Sequence, residues 1–256
     1  MEIVKQLIPA FSKNWEDSSL IPAKTSLSVS EFFCDTIQGE GQTAGVPATF
    51  LRLKGCTLNC TWCDTQEVWR HGDEYGFHQL FALMEEYDVI EKLRNGQHFI
   101  LTGGSPLRQQ HNVIMFFLAF YDMYKFVPII EVENECVLRP YPEMIELVSY
   151  WNNSPKLSNS GNTAKTYIPT VIKDTGKLSN STFKFVVDCE EDWQEILEKY
   201  LQPKLITKHQ IILMPQGDTR EALEITRPIA AKMAMKYNVR FSDRLHITLW
   251  DKKTGV

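Results

Sequence analysis

The stretch that decides the fold is Ala48-Thr-Phe-Leu-Arg-Leu53, followed by Lys54-Gly55-Cys56-Thr-Leu-Asn-Cys60-Thr-Trp-Cys63. Its first six residues form a short, mostly apolar run, and runs of this length suit parallel strands buried on both faces. The cysteines follow where such a strand hands over to its loop. Working outward, similar runs recur at 99–101, 127–132, 147–151, 183–187 and 211–214. Between or after them, residues 79–93, 113–124, 191–201 and 219–236 read as helices. Strand–helix alternation implies βαβ units and a parallel sheet. Six strands fall short of the eight of a full barrel, so the expected fold is α/β, a partial, open (β/α)6 barrel. Residues 1–30, punctuated by Ser18, Ser19, Pro22, Ser26 and Ser28, read as an N-terminal extension to a barrel domain spanning 31–256. The run at 147–151 is expected to end at Asn152 and Asn153, before a Ser- and Asn-rich loop.

Each expected strand ends in a distinctive polar motif: Gly55-Cys56, Thr102-Gly103-Gly104, Glu133-Asn134, Ser154-Pro155-Lys156, Asp188 and Pro215-Gln216-Gly217. In parallel α/β folds ligands bind where the carboxyl ends of the strands meet their loops. The unusual residues therefore gather where such a fold builds its site.

Bulk properties narrow the function classes. The 256 residues are 43% apolar and 23% charged, an ordinary globular composition. A net charge of −5 argues against a long nucleic-acid contact surface, which leaves a basic footprint. No apolar run approaches the roughly 18 residues of a membrane span, and the first 15 residues lack a signal-peptide pattern. The sequence reads as cytosolic. Three of its six cysteines fall within eight residues, which in a reducing compartment indicates metal binding rather than disulfides. Cys34, Cys136 and Cys189 sit in or beside apolar segments and read as small core residues.

Thiolates are soft ligands that suit zinc or iron–sulfur clusters. Four would close either kind of site. Three leave one iron of a [4Fe–4S] cluster open to a substrate. The competing reading is a zinc site completed by a distant group, for which Cys34, His71 and His78 are candidates. Elsewhere, the glycines of Thr102-Gly103-Gly104 permit close backbone approach to a ligand. Arg52 carries a planar fork that can hold a carboxylate bidentately. Thr65 is either an oxygen ligand or the N-cap of a helix. His246 reads as structural, the aromatic residues of 116–124 as core, and Glu190–Asp192 as a solvated helix start.

The C-x3-C-x2-C spacing after a strand is the signature of the radical S-adenosylmethionine superfamily. Within it, Thr36-Ile-Gln-Gly-Glu-Gly41, the stretch 47–65 and the terminal run Phe241-Ser-Asp-Arg-Leu-His246 to Val256 resemble the 7-carboxy-7-deazaguanine synthase family. The resemblance covers residues 31–256. It implies a [4Fe–4S] cluster on Cys56, Cys60 and Cys63, whose open iron is chelated by the amino and carboxylate groups of S-adenosylmethionine. It implies reductive cleavage to a 5′-deoxyadenosyl radical. That radical would take hydrogen from C6 of 6-carboxy-5,6,7,8-tetrahydropterin, and ring contraction with loss of ammonia would give 7-carboxy-7-deazaguanine. By the same resemblance, Mg²⁺ would sit on Thr65. The pterin would meet Ile37, Gln38, Gly39, Glu40, Arg52, Thr102 and the carboxylate of Val256. The cofactor would meet Trp62, Cys63, Asp64, Gly103, Gly104, Ser154, Pro155, Lys156, Met214, Pro215, Gln216 and Gly217. A flavodoxin- or ferredoxin-type electron donor and a homodimer are further implications, with no direct contact to nucleic acid or membrane. Three features depart from the family pattern: Ser105 where Glu is usual, the N-terminal extension, and an Asn- and Ser-rich insertion around 158–182. The alternatives are a glycyl-radical activating enzyme, which would not need Arg52 or Gln38-Gly39-Glu40, and a zinc-stabilised binding module.

Overall fold

A computed structural model describes residues 26–162, 166–253 and 255. Its elements in chain order are β1 (Ser26–Ile37), β2 (Pro47–Leu53), α1 (Gln66–Arg70), β3 (Asp73–Gly76), α2 (Phe77–Glu86), α3 (Val89–Arg94), β4 (His98–Gly103) and α4 (Gln110–Tyr124). There follow β5 (Ile129–Asn134), α5 (Pro142–Leu147), β6 (Tyr150–Asn153), α6 (Pro169–Gly176), β7 (Ser181–Val187), α7 (Glu190–Ile196), β8 (Ile211–Pro215), α8 (Arg220–Tyr237), β9 (Arg240–Phe241) and α9 (Leu245–Trp250). The strands among the described residues form one nine-stranded sheet in the order β3-β1-β2-β4-β5-β6-β7-β8-β9. β1 runs antiparallel to both β2 and β3. From β2 to β9 every neighbouring pair is parallel. The fold is thus mixed α/β on a sheet that does not close, since β3 and β9 are edges.

From β2 onward the order never doubles back. Crossovers between parallel strands are right-handed, so unidirectional order stacks the helices on one face and leaves the other bare. Alternation along each strand then separates two populations. Leu51, Leu53, Phe99, Leu101, Ile130, Val132 and Trp151 pack with Phe116, Phe117 and Phe120 of α4 in one apolar core. Phe183, Phe185, Val187, Ile211 and Leu213 pack with Trp193, Met233 and Ala234 in a second. The alternate positions carry polar groups: Arg52, His98, Thr102, Glu131, Glu133, Asn152 and Lys184. They are the second face of the sheet. A fully buried Phe stabilises by about 2–3 kcal/mol relative to exposure, and Phe99, Phe116 and Phe120 are all fully buried.

The loop after β1 leaves that strand where Ile37 pairs with Pro47, at the amino end of β2, and crosses the bare face to meet the segment after β9: the Gly41 amide donates to Ser242 Oγ at 2.9 Å, and the Leu245 amide donates to the Gly39 carbonyl at 2.7 Å.

Several sequence expectations are corrected. β1 starts at Ser26, inside the stretch assigned to the N-terminal extension, because Leu27 and Val29 alternate with serines and are buried. The single helix expected over 79–93 is two, α2 and α3, separated at Asp88, which takes a left-handed conformation at φ 55° that Asp tolerates better than most residues. The fourth run is not a strand from 147. Residues up to Leu147 are helical, and β6 contains the two asparagines expected to end it. Both are fully buried. Asn153 Nδ2 donates to Ser181 Oγ at 2.6 Å and to the Thr182 carbonyl, which satisfies an amide that would otherwise disfavour a central strand. Asp192 of the expected solvated helix start is buried, and its Oδ2 accepts from the amides of Asp188 and Cys189. No helix among the described residues is long and apolar enough to cross a membrane.

Candidate active site

A cavity of about 380 Å³ opens on the bare face. Cys56, Cys60 and Cys63 line it from the loop after β2, and Arg52 lines it from the strand itself. The β2 to β4 junction depends on glycine. Gly103 adopts φ 132°, and a Cβ on Gly104 would lie 2.1 Å from the Gly55 carbonyl and 2.6 Å from Cys56 Cβ. The glycine pair therefore lets the β4 loop lie flat against the cysteine loop.

Each cysteine sulfur has a donor from the protein. Cys56 Sγ accepts from the Leu58 amide at 3.3 Å and Ser105 Oγ at 3.6 Å. Cys60 Sγ accepts from Asn162 Nδ2 at 3.1 Å. Cys63 Sγ accepts from Trp69 Nε1 at 3.5 Å. Such donors suit thiolates carrying charge as metal ligands. Burial pushes the Cys56 and Cys60 thiols above their ordinary value, so a bound cation is what would deprotonate them. The three sulfurs do not all lie within 4.8 Å of one another. A tetrahedral zinc with Zn–S near 2.3 Å needs sulfurs about 3.8 Å apart. A multi-iron cluster, with each thiolate on a different iron, fits the wider triangle. The zinc candidates Cys34, His71 and His78 do not line this cavity.

The opposite wall is a buried ionic floor. Lys184 Nζ bridges Glu40 and Glu133 at 2.5 and 2.9 Å. Arg244 pairs with Asp64 and reaches Glu40 at 3.5 Å. Below them, Glu131 accepts from Gln38, Thr43 and Asn152 and contacts His98. Burial works against the Glu40 carboxylate, but Lys184, Arg244 and His246 hold it well below the usual carboxylate range. Asp64 is likewise lowered, its burial outweighed mainly by Arg244. Glu133 goes the other way, raised by burial and by Glu40 and Glu131 despite Lys184. Burial opposes charge on Lys184, yet Glu133 and Glu40 raise it and keep it protonated.

Of the residues singled out in the sequence, Ile37, Gln38, Gly39, Glu40, Trp62, Asp64, Thr65, Thr102, Gly103, Gly104, Ser154, Lys156 and Met214 all line the cavity. Pro155, Pro215, Gln216 and Gly217 do not. The Gln216 amide donates to Val187, and the Gly217 carbonyl accepts from Arg244, so both brace the rim from behind. Val256 lies outside the described residues. Gln38 is almost fully buried, and its amide already donates to Glu131 and Glu133. Thr65 occupies the N-cap position of α1 without a capping bond from its side chain. Arg52 Nε donates to Glu31 at 3.0 Å, and its terminal nitrogens have no partner among the described residues. His246, expected to be structural, faces the cavity 3.8 Å from Glu40.

Residues 37–129 match the 4Fe-4S single cluster domain. The 7-carboxy-7-deazaguanine synthase of Pyrobaculum aerophilum is 30% identical over 235 residues, which cover 91% of this chain and 99% of that one. The chain belongs to the 7-carboxy-7-deazaguanine synthase family. The Halobacterium salinarum member is 30% identical over 251 residues, covering 88% of this chain and 91% of its own. The crystal structure of QueE from Escherichia coli shares the fold, with a TM-score of 0.60 at 19% identity over 88% of this chain and all of that one.

Among the cavity residues of this 7-carboxy-7-deazaguanine synthase family member that the sequence did not mark for a role are Glu135, Lys184 and Arg244, while Glu133 was marked only as the polar end of its strand. A signal existed for Lys184. A charge inside Phe183-Lys-Phe-Val-Val187 is nearly fully buried, and buried lysines need partners. For Glu133 and Arg244 the partners come from distant elements, so the sequence marked their positions but not their pairing.

Proposed function

We propose that this chain converts 6-carboxy-5,6,7,8-tetrahydropterin to 7-carboxy-7-deazaguanine with loss of ammonia. The observation that carries the reading is one cavity that joins three cysteines, a floor of partly buried carboxylates on Lys184, and Arg52, whose terminal nitrogens have no partner among the described residues. A pterin presents N–H donors at one end and, here, a carboxylate at the other. Glu40 and Glu133 supply acceptors for the donor edge. The terminal nitrogens of Arg52 supply the fork for the carboxylate. The [4Fe–4S] cluster, held by Cys56, Cys60 and Cys63, supplies the electron that cleaves S-adenosylmethionine.

The remaining roles are carried over from the family resemblance. Thr65 offers a hydroxyl to Mg²⁺ beside the substrate carboxylate, as an oxygen-seeking ion prefers. Trp62 and Asp64 border the adenine, and Gly103, Gly104, Ser154 and Lys156 the methionine end, with Met214 beneath. Ile37 and Gly39 offer backbone groups to the pterin, and Thr102 a hydroxyl. β2 and β4 to β8 with their crossovers are read as a partial (β/α)6 barrel, preceded by an N-terminal extension. The protein is read as a cytoplasmic homodimer, reduced by a flavodoxin- or ferredoxin-type donor, with no direct nucleic-acid contact.

The test is an anaerobic assay with reconstituted protein, dithionite, Mg²⁺, S-adenosylmethionine and the carboxytetrahydropterin. The expected product is 7-carboxy-7-deazaguanine. Its absence with a fully loaded cluster would defeat the assignment.

A further inference from the structure

Beside the cysteines lies a carboxylate that the reading above leaves without a task. Glu135 follows β5 directly, is only 6% exposed and lines the cavity. Its Oε1 accepts from Thr57 Oγ1 at 2.8 Å. Its Oε2 is buried and has no hydrogen-bond partner among the described residues. A buried, unpartnered acceptor is unfavourable unless a ligand or water completes it.

The neighbours of Glu135 are arranged to aim it. Ser105, at a position where the chain departs from the family pattern, is fully buried and does not line the cavity. Its Oγ accepts from the Thr57 amide at 2.9 Å and lies 3.0 Å from Thr57 Oγ1. Ser105 thereby fixes the threonine that fixes Glu135. Lys156 borders the same cavity, its Nζ on Ser154 Oγ at 2.7 Å and 5.6 Å from the centroid of the Trp62 ring. No ion pair joins Lys156 to Glu135 among the described residues. Burial raises the Glu135 carboxyl above its ordinary value, opposed in part by Lys156, so a bound ammonium is what would favour its ionised form. A carboxyl and a cation with no ion pair between them flank the cysteine cradle, an arrangement complementary to an α-amino acid.

We propose that Glu135 Oε2 accepts a hydrogen bond from the α-amino group of the methionine end of S-adenosylmethionine, with Ser105 and Thr57 positioning it. This rests on reading the cavity as the cofactor site. Ser105 is too short to reach the ligand, and the carboxylate from β5 does so in its place.

The test uses cluster-loaded, oxygen-free protein and measures equilibrium binding of S-adenosylmethionine and of its analogue lacking the α-amino group. Glu135→Gln keeps an oxygen for Thr57 but loses the charge. It should retain its iron and sulfide and bind S-adenosylmethionine about 10-fold or more weaker, as expected when a charge-assisted hydrogen bond is lost. The penalty for removing the amino group should be large in the wild type and small in Glu135→Gln. The electron paramagnetic resonance change that S-adenosylmethionine causes in the reduced cluster should need correspondingly more ligand in the variant. Wild-type affinity in the variant, or an equal amino-group penalty in both proteins, would overturn the role of Glu135 while leaving the cofactor site standing. A loaded wild-type protein that binds no S-adenosylmethionine would overturn both.

Discussion

Lys184 shows how much one side chain holds in place. It is nearly fully buried between Glu40 and Glu133, and these carboxylates set its charge as it sets theirs. Glu40 is held below its unfolded value, so its contribution to stability is present above the unfolded carboxylate pKa, about 4.3, and is lost as pH falls through the depressed value. Replacing Lys184 by Met removes the main cation and leaves two partly buried carboxylates facing each other. The variant should lose about 3–5 kcal/mol, the cost of breaking a buried pair. Its carboxylates should now titrate above the unfolded value, so stability should rise as pH falls from 8 towards 5. Denaturant melts across that range check this, and an unchanged pH slope would count against the network. Arg52→Ala is a different case, because its partner Glu31 is partly exposed. It should keep the cluster, fold normally and bind the pterin at least about 10-fold weaker, a loss of roughly 1.4 kcal/mol or more. Wild-type substrate affinity would remove Arg52 from the site. Arg52 was legible in the sequence because it precedes the cysteines by four residues on a strand. Glu135 was not, because only Thr57 and Ser105, brought in from β2 and β4 loops, give it meaning.

At the scale of elements, the parallel strands were readable where local pattern suffices. The runs at 183–187 and 211–214 lie within β7 and β8. β1 was not readable, since its register slips twice against β2 and its partners decide where it is a strand. β9 has only two residues and exists through β8. In the sequence the Asn- and Ser-rich segment reads as an insertion that departs from the family pattern. Its first part folds onto the cysteine loop instead. The Thr61 amide donates to the Ser160 carbonyl at 3.0 Å, Trp62 Nε1 to the Asn159 carbonyl, and the Asn59 amide to Asn162 Oδ1, while Asn162 Nδ2 reaches Cys60 Sγ. A hydrogen bond to a ligand sulfur stabilises the reduced cluster. Asn162→Ala should therefore lower the reduction potential and speed loss of the visible absorbance in air, without reducing the iron initially bound. A redox titration followed by electron paramagnetic resonance decides, and an unshifted potential would mean that the segment only covers the loop.

Across the whole molecule, an open sheet faces a problem that a closed barrel does not: its second face needs a wall where the edges β3 and β9 fail to pair. Here Arg244 supplies the tie. It joins Asp64 of the cysteine loop, Glu40 of the β1 loop and the Gly217 carbonyl after β8, three segments distant in sequence. Nearby, Gly41 meets Ser242 and Gly39 meets Leu245, so the rim is fastened on both sides of the arginine. The cores behind the sheet do not depend on this tie, because their helices pack on the opposite face. Arg244→Gln should then leave the far-ultraviolet circular dichroism unchanged and the central strands β4 and β5 fully protected from amide exchange. Protection should fall together in residues 38–46 and 240–250, by about 10-fold or more if a single buried ionic tie closes the rim. Loss confined to 240–250 would mean that the C-terminal segment merely rests on the rim. Loss spreading into β4 and β5 would mean that the ionic floor, and not the apolar cores, carries the sheet.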